Sequence, residues 1–132
     1  MTTTEKTVLV VDDDGDFLES LSCFLEMEHF HVLKARSGAE ALRIARSARP
    51  DLILMDVMMG ERTEGFFTIQ EIRNIHEVKD IPIFVLSSLY SLIPEFGISP
   101  DSSWLAHDDF LPKPVDMQEL LKRIHARIGV PQ

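Results

Sequence analysis

The chain has 132 residues, of which 45% are hydrophobic and 27% charged, with 22 acids against 13 bases and a formal net charge of −9. That describes one globular domain rather than a disordered segment, and no apolar run approaches the roughly 20 residues needed to span a bilayer. The acidic balance argues against non-specific nucleic-acid binding, which needs Lys and Arg to neutralise phosphates, and favours divalent cations or basic protein surfaces.

The first residues, Met1 to Thr7, carry no signal-peptide pattern, and the lone Cys23 cannot form an internal disulfide. Both features point to a cytoplasmic protein with no membrane partner. Cys23 lies within an apolar helical pattern and reads as packing rather than chemistry. Residues 7–11, Thr-Val-Leu-Val-Val, form an apolar, β-branched run that reads as a buried strand. It ends in Asp12, Asp13 and Asp14, and after Gly15 an amphipathic helix follows with Phe17, Leu21, Phe24 and Leu25 on one face. Asp14 and Asp16 are placed as helix N-terminal charges, favoured by the macrodipole.

Residues 30–35 read as a second strand. Ser37 is a good N-cap for the next helix, with Glu40 at capping-box spacing and Ala41, Leu42 and Ala45 on the buried side. Pro50-Asp51 then supplies a turn before Leu-Ile-Leu-Met-Asp56, a run of four apolar residues ending on a carboxylate. A polar loop runs to Gly65, and Phe66, Ile69, Ile72 and Ile75 mark a third helix. Residues 82–86 form a fourth apolar strand ending at Ser87-Ser88. The segment 89–106 is irregular, since Pro94 and Gly97 break it, but Ser99-Pro100 looks like a fresh helix start for a short helix through Trp104. Residues 109–112 form a fifth strand, followed by Lys113-Pro114. The last helix has Asp116 and Glu119 at capping-box spacing and an apolar stripe of Met117, Leu120, Leu121, Ile124 and Ile128, and Gly129 and Pro131 stop it. The histidines, His29, His31, His76, His107 and His125, have no ligand spacing.

Alternating strands and helices predict an α/β fold, a doubly wound five-stranded parallel sheet, in a single domain. Such sheets carry their chemistry outside the carboxyl ends of the strands. Asp12, Asp13, Asp14, Asp56, Ser87, Ser88 and Lys113 are thereby expected along one edge. Crowded carboxylates repel, by about 4 kcal/mol for two charges ~4 Å apart at an effective dielectric of ~20. They call for a cation, and hard oxygen ligands favour Mg²⁺. A lysine and a hydroxyl facing the same point suit phosphate oxygens, and a carboxylate can act as nucleophile to form an acyl phosphate.

The set Val-Val-Asp12-Asp13, Leu-Met-Asp56, Leu-Ser87-Ser88 and Lys113-Pro114, in that order on five apolar strands, resembles the receiver domain of two-component response regulators over roughly residues 6–128. The resemblance implies a flavodoxin-like (βα)5 domain with strand order 2-1-3-4-5 and no output domain. It implies that Asp56 is the phosphoacceptor and that Asp12, Asp13 and Asp56 hold Mg²⁺, with the backbone carbonyl of Met58 as a further ligand. Backbone N–H groups of Val57 and Ser88 are implied to bind the phosphoryl group. Ser87 resembles the switch hydroxyl, Lys113 the lysine that pairs with the phosphoryl group, and Phe110 either the switch aromatic or plain core. The implied donor is a sensor histidine kinase or a histidine phosphotransfer protein. The implied output is a downstream protein bound through the face made by the family's fourth helix, fifth strand and fifth helix. No nucleic-acid partner is expected, and a homodimer through that face is allowed.

The sequence departs from the family in three places. Gly60 stands where family members usually have Pro, and Gly65 lies nine residues beyond Asp56, one more than usual. The span from Ser87 to Lys113, 26 residues, is also long. Met58 and Leu89, at the positions that tune hydrolysis, cannot orient an attacking water, which implies slow autodephosphorylation. The chain is thus expected to be a signalling receiver rather than an enzyme. The alternatives are an adaptor independent of phosphorylation and an aspartate-nucleophile phosphatase, the latter opposed by Met58 standing where such enzymes place a general acid.

Overall fold

The structure, a computed structural model, describes residues 5–56, 64–87 and 109–131, with the side chains of 64–66 and 87 excepted. Five strands, β1 (Thr7–Val11), β2 (His31–Ala35), β3 (Leu52–Asp56), β4 (Ile83–Ser87) and β5 (Asp109–Pro112), form one sheet. All neighbours are parallel, in the order β2-β1-β3-β4-β5. Four helices are described: α1 (Gly15–Met27), α2 (Gly38–Ala48), α3 (Glu64–Arg73) and α4 (Met117–Ile128). None is long and apolar enough to cross a membrane. The loop after Asp56 with Gly60, and the segment 89–106 with its expected helix through Trp104, lie outside the described residues.

The alternation of side chains along the strands builds two cores. Leu9, Val11, Ala35, Ile53, Met55, Ile83 and Val85 point to the side covered by Ala41 and Ala45 of α2 and Ile69 and Ile72 of α3. Val8, Val10, Val32, Leu52, Leu54, Phe84, Leu86 and Leu111 point to the other side, against Leu18, Leu21 and Leu25 of α1 and Leu120 and Ile124 of α4. With helices on both faces, the central strands have no solvent side, which is why they read as unbroken apolar runs. Burying one such Leu or Ile fully stabilises the fold by about 1.5–3 kcal/mol.

Caps fix where the helices begin. Asp14 accepts from the N–H groups of Asp16 and Phe17, Ser37 from Glu40, and Asp116 from Gln118 and Glu119. The two capping-box glutamates behave differently from the expected motif. Glu40 accepts from the N–H of Arg36, one residue ahead of the cap, at 2.8 Å. Glu119 instead pairs with Arg123 Nε at 2.9 Å, and Arg123 also bonds Asp109 at 2.8 Å, tying α4 to β5. The Glu119 hydrogen bond is the main reason that the Arg123 guanidinium is held above its ordinary pKa. Gly129 caps α4 with φ of 92°, a region that side chains disfavour.

Three details depart from the sequence reading. Cys23 is exposed, not packed: Leu18, Leu21, Ser22 and Leu25 take the inner face of α1, and Cys23 falls on the outer turn. Phe30 precedes β2 and stacks on His125, with ring centroids 5.9 Å apart. Ile75 lies beyond the end of α3, yet it still packs against the core from the following turn.

Candidate functional site

β1 and β3 are adjacent in the sheet, with Val11 paired to Met55, so the residues that follow and end them, Asp12 and Asp56, stand side by side. Asp12 continues the ladder by donating its N–H to Ala35 O at 3.1 Å. Both carboxylates are almost wholly buried, Asp12 at 1% and Asp56 at 4% exposure, whereas Asp13 is exposed. Oxygens of all three lie within 4.8 Å of one another.

Lys113 reaches back from the end of β5. Its Nζ lies 2.6 Å from Asp12 Oδ2 and 3.7 Å from Asp56 Oδ2. The same ammonium sits 4.2 Å from the centroid of the Phe17 ring. Asp12 uses its other oxygen to accept from Asp14 N–H at 2.9 Å. Arg36, on the loop after β2, donates from Nη2 to the Asp13 carbonyl at 3.2 Å. Gly15 gives it room, since a Cβ there would come within 3.3 Å of that nitrogen.

At an effective dielectric of ~20, two unit charges ~4.8 Å apart repel by about 3 kcal/mol. Lys113 offsets part of that repulsion, but three carboxylates and one ammonium still leave a formal charge near −2. Hard oxygen donors at this spacing, carrying that residual charge, fit a divalent cation such as Mg²⁺ or Ca²⁺.

Of the residues anticipated from sequence, Asp12, Asp13, Asp56 and Lys113 come together. Asp14 instead serves as the cap of α1. Ser87 ends β4 in register with Pro112, on the same edge of the sheet, but its side chain is outside the described set. Val57, Met58, Ser88 and Leu89 also lie outside it. Phe110 is buried, with its ring in the core on the α2–α3 side. The sequence reading missed Phe17 and Arg36 as neighbours of the site. Phe17 fell within an apolar helix face, and no spacing in the sequence signals that its ring meets a lysine 96 residues later.

A doubly wound parallel sheet with three carboxylates and a lysine gathered at its carboxyl edge defines an α/β domain of the flavodoxin-like class. Residues 8–125 match the family model of the response regulator receiver domain, and the chain belongs to that family. Among its relatives is the response regulator MprA of Mycolicibacterium vanbaalenii, 38% identical over 120 residues that make up 90% of this chain and 48% of that protein. Another is the DNA-binding dual master transcriptional regulator RpaA of Synechocystis, 31% identical over 90% of this chain and 47% of that protein. The chain spans about half the length of these curated relatives. Among solved structures, the chemotaxis response regulator CheY4 of Vibrio cholerae superposes with a TM-score of 0.79 at 30% identity, covering 92% of this chain and 98% of that one. A CheY-like receiver domain protein from Methanospirillum hungatei, 24% identical with a TM-score of 0.80 over 94% of both chains, shares the fold.

Proposed function

We propose that this receiver domain takes a phosphoryl group onto Asp56 from a phosphohistidine on a sensor histidine kinase or a histidine phosphotransfer protein. The observation that carries the reading is the buried Asp56 carboxylate, gathered with two further acids within 4.8 Å and 3.7 Å from the Lys113 ammonium. In the reaction, an Asp56 oxygen attacks phosphorus, the P–N bond to the donor imidazole breaks, and the imidazole departs with the bonding electron pair. An acyl phosphate on Asp56 results.

Asp12, Asp13 and Asp56 would hold Mg²⁺, with the Met58 carbonyl as a further ligand, and the bound ion would neutralise charge on the phosphoryl oxygens. Lys113 supplies an ammonium to one of those oxygens. The Ser87 hydroxyl and the backbone N–H groups of Val57 and Ser88 supply further donors. Ser87 acts as the switch hydroxyl, moving onto the phosphoryl group, with Phe110 as the switch aromatic. The phosphorylated population then meets a downstream protein differently, through the face that includes β5 and α4, and a homodimer through that face is one form of that contact. The surface of this domain itself takes no nucleic acid. The role is signalling; the only chemistry is the domain's own phosphotransfer and a slow autodephosphorylation.

The test is intact mass after incubation with acetyl phosphate and Mg²⁺, and separately with a phosphohistidine donor. A phosphoryl gain in the wild type that is absent in Asp56→Asn and abolished by EDTA supports the reading. No gain from either donor overturns it in favour of an adaptor that works without phosphorylation. Turnover of a generic phosphate ester would instead favour a phosphatase.

A further inference from the structure

We propose that Phe17 is a positioning residue for Lys113, and that its ring keeps the ammonium over the carboxylate site once a divalent cation occupies Asp12. This inference rests on the function proposed above for its catalytic consequence, but not for its geometry. Lysine is a flexible, strongly hydrated point charge with four rotatable side-chain bonds, so it needs to be held if it is to meet one oxygen reliably. Among the described residues, three groups hold Lys113: Asp12 Oδ2 at 2.6 Å, Asp56 Oδ2 at 3.7 Å and the Phe17 ring at 4.2 Å. The two carboxylates are the groups whose charge is altered during the proposed cycle. A cation draws on both, and phosphorylation converts the Asp56 carboxylate into an acyl phosphate. The face of the Phe17 ring keeps its negative potential throughout.

Phe17 is itself fixed by the same loop. Its N–H donates to Asp14 Oδ1 at 3.3 Å, Asp14 N–H donates to Asp12 Oδ1 at 2.9 Å, and Asp12 Oδ2 accepts from Lys113. The contacts close into a circuit that joins the end of β1, the first turn of α1 and the residue after β5. Phe17 is also half-buried against the core beside α1, which limits how far the ring can swing away. Together, ring and carboxylates leave only 20% of the Lys113 side chain exposed.

Two measurements test the inference. The first uses Mg²⁺ alone and requires no phosphorylation. Stacking over a ring shifts the Lys113 ε-methylene protons upfield in the NMR spectrum, and Phe17→Leu removes that shift. The upfield shift should persist in the wild type at saturating Mg²⁺; its collapse on adding Mg²⁺ overturns the proposal. The second is the rate of phosphorylation by acetyl phosphate for Phe17→Tyr, Phe17→Leu and pentafluorophenylalanine placed at position 17. Fluorination drains the ring's negative face while keeping its shape, so a purely structural ring would tolerate it. The Tyr variant should react at close to the wild-type rate, and the Leu and fluorinated proteins about two- to fivefold more slowly. A fluorinated protein as fast as the wild type overturns the proposal. If the wild type accepts no phosphoryl group at all, the phosphoacceptor reading falls, and the NMR shift alone decides the role of Phe17.

Discussion

Replacing Lys113 with Met separates the charge of this residue from its bulk. The unbranched stem is retained against Phe17, and only the ammonium is lost. That leaves Asp12, at 1% exposure, without its 2.6 Å partner, in a set of three carboxylates within 4.8 Å. Removing one member of a buried ion pair costs about 3–5 kcal/mol. Here Asp12 keeps the hydrogen bond from Asp14 N–H, and the Lys113 side chain is 20% exposed, so part of that cost is absent. We expect about 2–3 kcal/mol in EDTA, a urea midpoint lower by roughly 1–1.5 M for a slope near 2 kcal/mol/M. Mg²⁺ should narrow the difference. Without the ammonium competing for Asp12, the ion should bind the variant more tightly, and an ion at about 100 times its Kd adds about 2.7 kcal/mol. The assay is urea unfolding of Lys113→Met and wild type, each with EDTA and with one fixed Mg²⁺ concentration. The reasoning fails if the variant matches the wild type in EDTA, or if Mg²⁺ stabilises the variant no more than the wild type.

Other expectations concern the frame and the lifetime of the signal. Leu54→Ala, at a fully buried position facing α1 and α4, should cost about 2–5 kcal/mol in the same unfolding experiment; a loss below about 1 kcal/mol would contradict the packing described. Asp116→Ala removes the oxygen that accepts from Gln118 and Glu119 and should cost about 1 kcal/mol, with Asp116→Asn close to neutral. Met58→Asn should shorten the half-life of the phosphorylated protein, read by intact mass over time. A wild-type half-life of seconds would refute the expectation of slow autodephosphorylation.

Much of this protein was legible without coordinates because its strands are buried on both faces. Burial on two sides demands unbroken apolar runs, so residues 7–11, 52–55 and 83–86 announce themselves, and parallel pairing then puts every strand's carboxyl end on one edge. Asp12, Asp13, Asp56 and Lys113 could therefore be grouped from strand order alone. The caps Ser37 and Asp116 were equally legible, because each satisfies N–H groups only two or three residues away, whereas Asp14 showed in the sequence only as a charge at the helix N-terminus. Tertiary structure decided what depends on contacts between distant elements. Helix rotation put Leu18 inside and Cys23 outside, a choice made by packing against the sheet rather than by residue type. Glu119 pairs with Arg123 in place of the local capping bond, because a charged partner outcompetes a neutral N–H. Glu40 accepts instead from the backbone N–H of Arg36, one residue ahead of the cap. The meeting of Phe17 with Lys113 belongs to the tertiary structure entirely. Sequence periodicity specifies which face of a helix is apolar, but the side chain that this face meets is set by where the sheet delivers the end of β5.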